Sequence, residues 1–152
     1  MARLRPGWSV AFCAAGLAIS SWLPWLTTSA LGGGRASAIG GTVGSISLPP
    51  RFGAGQLIVL LSSVLIVLGA LVGRDLSARL AAAAAVVVSV LVAVLVWWYF
   101  AANVSPPVAA GYGFYVGAVC ALGVLACSVW ALVCALSSGR ADETPDSAQV
   151  RR

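Results

Sequence analysis

The stretch from Leu80 to Ala101, LAAAAAVVVSVLVAVLVWWYFA, contains no charged residue and decides the class of fold. About 20 apolar residues in an α-helix span the roughly 30 Å hydrocarbon layer of a bilayer. The valines at positions 86–88 would favour a strand in water. In lipid the backbone must satisfy its own hydrogen bonds, so a run this long predicts a helix instead.

Three further apolar stretches flank this one, and together they predict spans at about 8–26, 55–72, 80–101 and 112–136. The sequence therefore predicts an all-α membrane fold, a four-transmembrane-helix antiparallel bundle within residues 1–138. The short polar segment 73–79 requires the second and third helices to be antiparallel neighbours. Residues 139–152 are polar and are predicted to form a disordered cytoplasmic tail.

The composition excludes an ordinary soluble domain. Of the 152 residues, 61% are hydrophobic and only 9% are charged, whereas about 25% of residues are charged in a typical globular chain. The net charge of +5 does not indicate nucleic-acid binding, because the arginines lie outside the apolar stretches rather than along one face of a helix. All nine basic residues are arginines, which suggests the coding bias of a GC-rich bacterium.

The positions of the arginines predict the orientation in the membrane. Those at one side of the predicted bundle are Arg3, Arg5, Arg74, Arg79, Arg140, Arg151 and Arg152. The other side has only Arg35 and Arg51. Because basic loops remain in the cytoplasm, we expect a multi-pass protein of the cytoplasmic membrane with both termini inside.

Aromatic residues cluster near the predicted outer ends of the spans, where amphipathic rings prefer the headgroup level. The predicted interfacial anchors are Trp22, Pro24, Trp25, Trp97 and Trp98. Pro24 is expected to end or kink the first helix beneath the two indoles. As an alternative, Trp22 and Trp25 grip a lipid or a partner at the outer face.

Two features of the N-terminal third leave alternatives open. Arg3 and Arg5, an apolar run and Thr28-Ser29-Ala30 resemble a signal peptide, but the run is long for one and bulky residues lie near the cleavage site, so an uncleaved helix is favoured. The Gly-rich segment 27–54 is predicted to be a flexible outer loop. Its alternating residues 43–48 are compatible with a short hairpin on the helix ends.

Small residues and cysteines form stripes on the last predicted helix. Gly113, Gly117 and Ala121 have the four-residue spacing that permits close helix contact, either within the bundle or with a partner subunit. The run 81–85 offers a second smooth face. Cys120, Cys127 and Cys134 recur every seven residues and share one face. We interpret them as packing residues, with Cys13 at the depth of Cys134.

The residue types argue against catalysis and against bound cofactors. The chain has no histidine and no C-x-x-C pair, and no Asp, Glu, Lys or Arg lies inside any predicted span. Metal sites, general acid–base chemistry and proton-coupled transport depend on such groups. We therefore expect no enzyme activity, no metal and no cofactor.

Two short motifs carry a family resemblance, namely Pro24-Trp25 at the end of the first helix and Gly111-Tyr112-Gly113-Phe114-Tyr115 at the start of the last. Over most of residues 8–136 the chain resembles small four-helix conserved membrane proteins of actinobacteria, and its layout is similar to that of the Trp-biosynthesis-associated membrane proteins. The resemblance implies a four-helix membrane protein and no particular activity.

The sequence thus predicts a non-enzymatic accessory or scaffold subunit that acts through helix–helix contacts. Its expected partners are the lipid bilayer and either another membrane protein or a second copy of the chain. The alternative is a lipid-handling or transport component that acts as a homo-oligomer. A holin-like membrane-lesion former is a third hypothesis compatible with the size and the lack of charge.

Overall fold

The computed structural model describes residues 6–29, 32–44, 53–74, 77–104, 106 and 108–141. Its helices are α1 (Pro6–Ser20), α2 (Ala54–Gly73), α3 (Ala78–Asn103) and α4 (Tyr112–Ala141). Its strands are β1 (Pro24–Thr28), β2 (Gly34–Ser37), β3 (Thr42–Gly44) and β4 (Val108–Ala110). The prediction of four helices is confirmed, and three of them, α2, α3 and α4, are long and apolar enough to cross a membrane.

The four helices form a closed ring in which α1 packs against α2 and α4, and α3 packs against the same two helices. Helices α1 and α3 run toward the sheet, whereas α2 and α4 start from it. We call this end of the bundle the sheet end. The opposite end, which holds Pro6, the turn after Gly73 and the end of α4, is the loop end.

A small antiparallel sheet closes the sheet end, so the all-α prediction is incomplete. The strand order is β3-β2-β1-β4. β1 therefore lies between β2, which follows it in the chain, and β4, which connects α3 to α4; Thr27 pairs with Arg35 on one side and with Ala109 on the other. Strands from the segments 27–44 and 108–110 therefore pair in one sheet, whereas the sequence predicted a flexible loop for 27–54.

The first predicted span, 8–26, is wrong at its C-terminal end. α1 has 15 residues and ends at Ser20, so it is about 22 Å long. The hydroxyls of Ser20 and Ser21 donate to the carbonyl of Leu17, closing the last turn. Pro24 does not kink a helix: it is the first residue of β1, a strand position that a residue without an N–H tolerates.

The hairpin lies earlier than predicted. β2 and β3 pair through the turn at residues 38–41, where Gly40 has a φ of 101°. Val43 and Gly44 belong to β3, and residues 45–48 of the predicted hairpin lie outside the described residues. At the other end of the chain α4 continues to Ala141, beyond the predicted stop, and residues 142–152 of the predicted tail also lie outside the described residues.

Buried apolar side chains run through the ring from the sheet to the loop end. Trp25, Leu26 and Ala36 belong to the sheet portion of this core, and Leu17, Ile58, Leu65, Val92 and Val124 continue it along the helices. A smaller cluster near the loop end is made by Val72, Ala81, Ala82 and Ala131. The alanine face of α3 predicted from the run 81–85 is therefore used partly inside the bundle, since Ala85 is also buried.

Candidate functional site

Trp25 joins the sheet to the helices. Its side chain is 0% exposed, and its indole N–H donates to the carbonyl of Ser20 at 2.8 Å. Its ring meets those of Tyr99 and Phe114 edge-on, with centroid distances of 5.2 and 5.6 Å. Protein therefore covers this side chain, whereas the sequence predicted an indole in contact with lipid headgroups; the contacts that bury it come from α3 and α4, far from Trp25 in the sequence.

A β-bulge explains how Trp25 reaches the core. The register of β1 against β2 shifts between Pro24 and Leu26, and an extra residue at a bulge re-aims side chains. Consecutive residues of a regular strand point to opposite faces, yet Trp25 and Leu26 are both buried. The carbonyl of Trp25 accepts the N–H of Gly111 at 2.7 Å, which also fixes the start of α4.

Gly113 and Gly117 form the seat of this indole. A Cβ atom at Gly117 would lie 2.6 Å from Cζ2 of Trp25, and one at Gly113 would lie 2.7 Å from Cβ of Leu23 and 3.0 Å from Cδ1 of Trp25. The two glycines therefore admit a tryptophan ring of the same chain. Ala121, on the next turn, is also buried. The close contact made by these small residues is therefore within the bundle, which is the first of the two alternatives that their four-residue spacing left open.

The other predicted anchors lie on the surface at or near the sheet end. Trp22 is 75% exposed, Trp97 71% and Trp98 58%. Pro24 is half-buried at the start of β1. Trp22 and Trp25 thus differ in environment although they are only three positions apart in the sequence.

Three of the four cysteines meet at the contact between α1 and α4. Cys13 lies between Cys120 and Cys127: its side chain contacts that of Cys127, and its Sγ is 3.3 Å from a Cβ built on Gly123. Gly16 faces Cys120 in the same way. Cys13 is therefore not level with Cys134, which is half-buried two turns closer to the loop end.

Sequence reasoning missed a second glycine contact, between α1 and α2 near the loop end. A Cβ at Gly69 would lie 2.7 Å from the N atom of Ala11 and 2.8 Å from the carbonyl O of Gly7, and one at Gly7 would collide with the backbone of Gly73. The pattern Gly69-x-x-x-Gly73 is the available signal, because small residues four apart let helices approach closely.

A groove of about 370 Å³ runs between α3 and α4 near the sheet end. We call it the α3–α4 groove. Small residues, including Ala93 and Ala118, line its floor, and Trp97, Tyr115 and Leu122 line its rim. All three rim residues are more than half exposed. The groove therefore offers a concave apolar surface at the side of the bundle.

A second cavity, of about 440 Å³, lies beside the sheet. We call it the sheet pocket. Its lining includes Trp22 and Pro24 before and in β1, Arg35 in β2, Thr42 in β3 and Tyr112 at the start of α4. Arg35, Trp22 and Tyr112 are exposed, so this pocket opens to the surroundings and combines a cation with two amphipathic rings.

Two buried hydroxyls, those of Tyr99 and Ser128, have no hydrogen-bond partner within the part of the chain that the structure describes. The same residues contain no group of three metal-binding side chains. The candidate binding sites are the α3–α4 groove and the sheet pocket. Comparison with protein-family models, with curated proteins and with solved structures gives no match, so the resemblance to actinobacterial membrane proteins stays a prediction.

Proposed function

We propose that the chain is a multi-pass protein of the cytoplasmic membrane whose four helices all cross, with both termini in the cytoplasm and the sheet at the outer surface. The length and apolarity of α2, α3 and α4 support this, as does the excess of arginines before α1, between α2 and α3 and from Arg140 onward in the sequence. α1 is shorter, but residues 6–20 carry no charge, and the chain continues into β1 toward the sheet.

The packing of α1 and β1 supports an uncleaved N-terminal helix. α1 closes the ring between α2 and α4, and β1 is the strand that joins β2 to β4. Cleavage after Ala30 would remove both elements together with Trp25. An intact chain keeps the buried contacts that connect the sheet to the bundle.

Labelling with a membrane-impermeant maleimide tests this orientation. In a variant with the native cysteines replaced by alanine, Ser29→Cys at the sheet end is expected to react in intact cells. Ser77→Cys at the loop end is expected to react only after lysis, since both positions are exposed in the fold. Labelling of Ser77→Cys in intact cells would contradict the proposed orientation.

For a chain oriented in this way, we propose the role of a non-enzymatic accessory or scaffold subunit that binds a helix of another membrane protein. The α3–α4 groove is the observation that carries the proposal. Between helices in lipid there is no hydrophobic driving force, so association depends on close packing against concave, small-residue surfaces. Trp25 occupies the space beside Gly113 and Gly117 of α4, whereas the groove, with Ala93 and Ala118 in its floor, is an open concave lateral surface.

Co-purification from native membranes in mild detergent, followed by mass spectrometry, tests the partner. The wild-type chain is expected to bring down one membrane protein in stoichiometric amount. Trp97→Ala combined with Tyr115→Ala removes two of the three rim side chains and is expected to release that partner. Trp98→Ala is the matched control, because that indole is exposed but does not line the groove.

The same experiment separates the alternative function. If the chain emerges alone or as a homo-oligomer with a specific lipid, the accessory role is wrong and lipid handling or transport takes its place. A photo-crosslinking residue at position 122, in the groove rim, gives a second measurement. It is expected to link to the partner, whereas the same group at exposed Val133, outside the groove, is not.

A further inference from the structure

The sheet pocket contains a cation that the rest of the described fold does not neutralise. Arg35 is exposed on β2, and the described residues include no acidic side chain. All four acids of the sequence, Asp75, Asp142, Glu143 and Asp146, lie outside the described residues. Hence no described carboxylate pairs with Arg35.

The side chains that line the pocket with Arg35 are of the types that contact lipid headgroups. Trp22 and Tyr112 line the same pocket and are 75% and 59% exposed. Such rings prefer the level of the lipid headgroups, with their apolar part toward the chains. The hydroxyl-bearing Thr42 also lines the pocket. A cation, a hydroxyl and two amphipathic rings thus converge on one cavity of about 440 Å³.

We infer that the sheet pocket binds one anionic phospholipid of the outer leaflet. The guanidinium of Arg35 donates to the phosphate oxygens, a geometry that its planar fork matches in two parallel hydrogen bonds. Trp22 and Tyr112 contact the glycerol backbone and the first methylenes. The choice of an anionic lipid follows from the positive charge of Arg35, which is exposed on β2 and lines the pocket.

This inference depends on the proposed orientation only in assigning the lipid to the outer leaflet. It is independent of the partner proposed for the α3–α4 groove. Binding in detergent does not depend on orientation. A failure of the lipid site and a failure of the topology therefore give different results, the first in lipid titrations of the purified chain and the second in maleimide labelling of cells.

Native mass spectrometry of the full chain, titrated with phosphatidylglycerol, provides the test. The wild-type chain is expected to retain one lipid. Arg35→Gln is expected to weaken the affinity for that lipid roughly tenfold, because it removes a hydrogen bond to a charged group. Arg35→Lys is expected to fall between the two. Arg74→Gln is the matched control, an exposed arginine at the loop end, and is expected to bind like the wild type.

Two comparisons decide the source of the affinity. Phosphatidylcholine with the same acyl chains carries no net charge and is expected to bind more weakly than phosphatidylglycerol. Inorganic phosphate is expected not to displace the lipid, because it lacks the part that contacts the rings. Equal binding by both lipids, displacement by phosphate, or equal affinity of Arg35→Gln and Arg74→Gln would each overturn the inference.

Discussion

Replacement of Trp25 by alanine is expected to lower the free energy of unfolding by about 3–5 kcal/mol, the range typical of a large buried aromatic residue. The indole is fully buried, so its removal leaves a cavity between β1 and the start of α4. The bond from its N–H to the carbonyl of Ser20 is lost at the same time. Tyr99 and Phe114 lose their edge-on partner, and the sheet loses a main attachment to the bundle.

Trp22→Ala is the matched control for this prediction. That indole is largely exposed, and exposed substitutions usually change stability by within about 0.5 kcal/mol. Unfolding by sodium dodecyl sulfate in mixed micelles, followed by far-ultraviolet circular dichroism, measures both variants. If Trp25→Ala and Trp22→Ala have the same transition midpoint, the buried position of Trp25 is wrong and both residues are surface anchors.

The helices were predictable because lipid leaves few choices for a long apolar run. The predicted third span, 80–101, lies within α3 (Ala78–Asn103), and the second, 55–72, lies within α2. Polar residues flank both runs, so hydropathy alone locates the ends of these two helices. The first run has no such boundary, because Trp22 to Leu26 are as apolar as the helix before them, and a buried strand has the same composition as a buried helix.

The sheet was not predictable from local sequence because its pairing is long-range. β4 has three residues, too few to show a period, and Thr27 pairs with Ala109 across two helices of the chain. The same holds for the candidate site. The spacing of Gly113 and Gly117 indicates that another group packs closely on α4. The identity of that group, an indole on a bulged strand, follows only from the complete fold.

Substitution of Gly69 is expected to separate α1 from α2. A single methyl group there would lie 2.7–2.8 Å from backbone atoms of Ala11 and Gly7, and backbone atoms cannot rotate away as a side chain can. Gly69→Ala is expected to cost about 1–3 kcal/mol, the usual range for overpacking, and Gly69→Leu more than that. The gain in helix propensity, about 1 kcal/mol for glycine to alanine, balances this cost only at the lower end of the range.

Gly123→Ala separates the packing effect from the propensity effect, since it makes the same chemical change in the middle of α4. Its methyl group would meet the Sγ atom of Cys13 at 3.3 Å, and that side chain is free to adjust by a few tenths of an ångström. Its stability is expected to stay within about 1 kcal/mol of wild type because propensity and crowding offset each other. The detergent titration used for Trp25 measures both changes. If Gly69→Ala proved as stable as Gly123→Ala, α1 and α2 would not cross at Gly7 and Gly69, and the ring of four helices would have to close through a different contact.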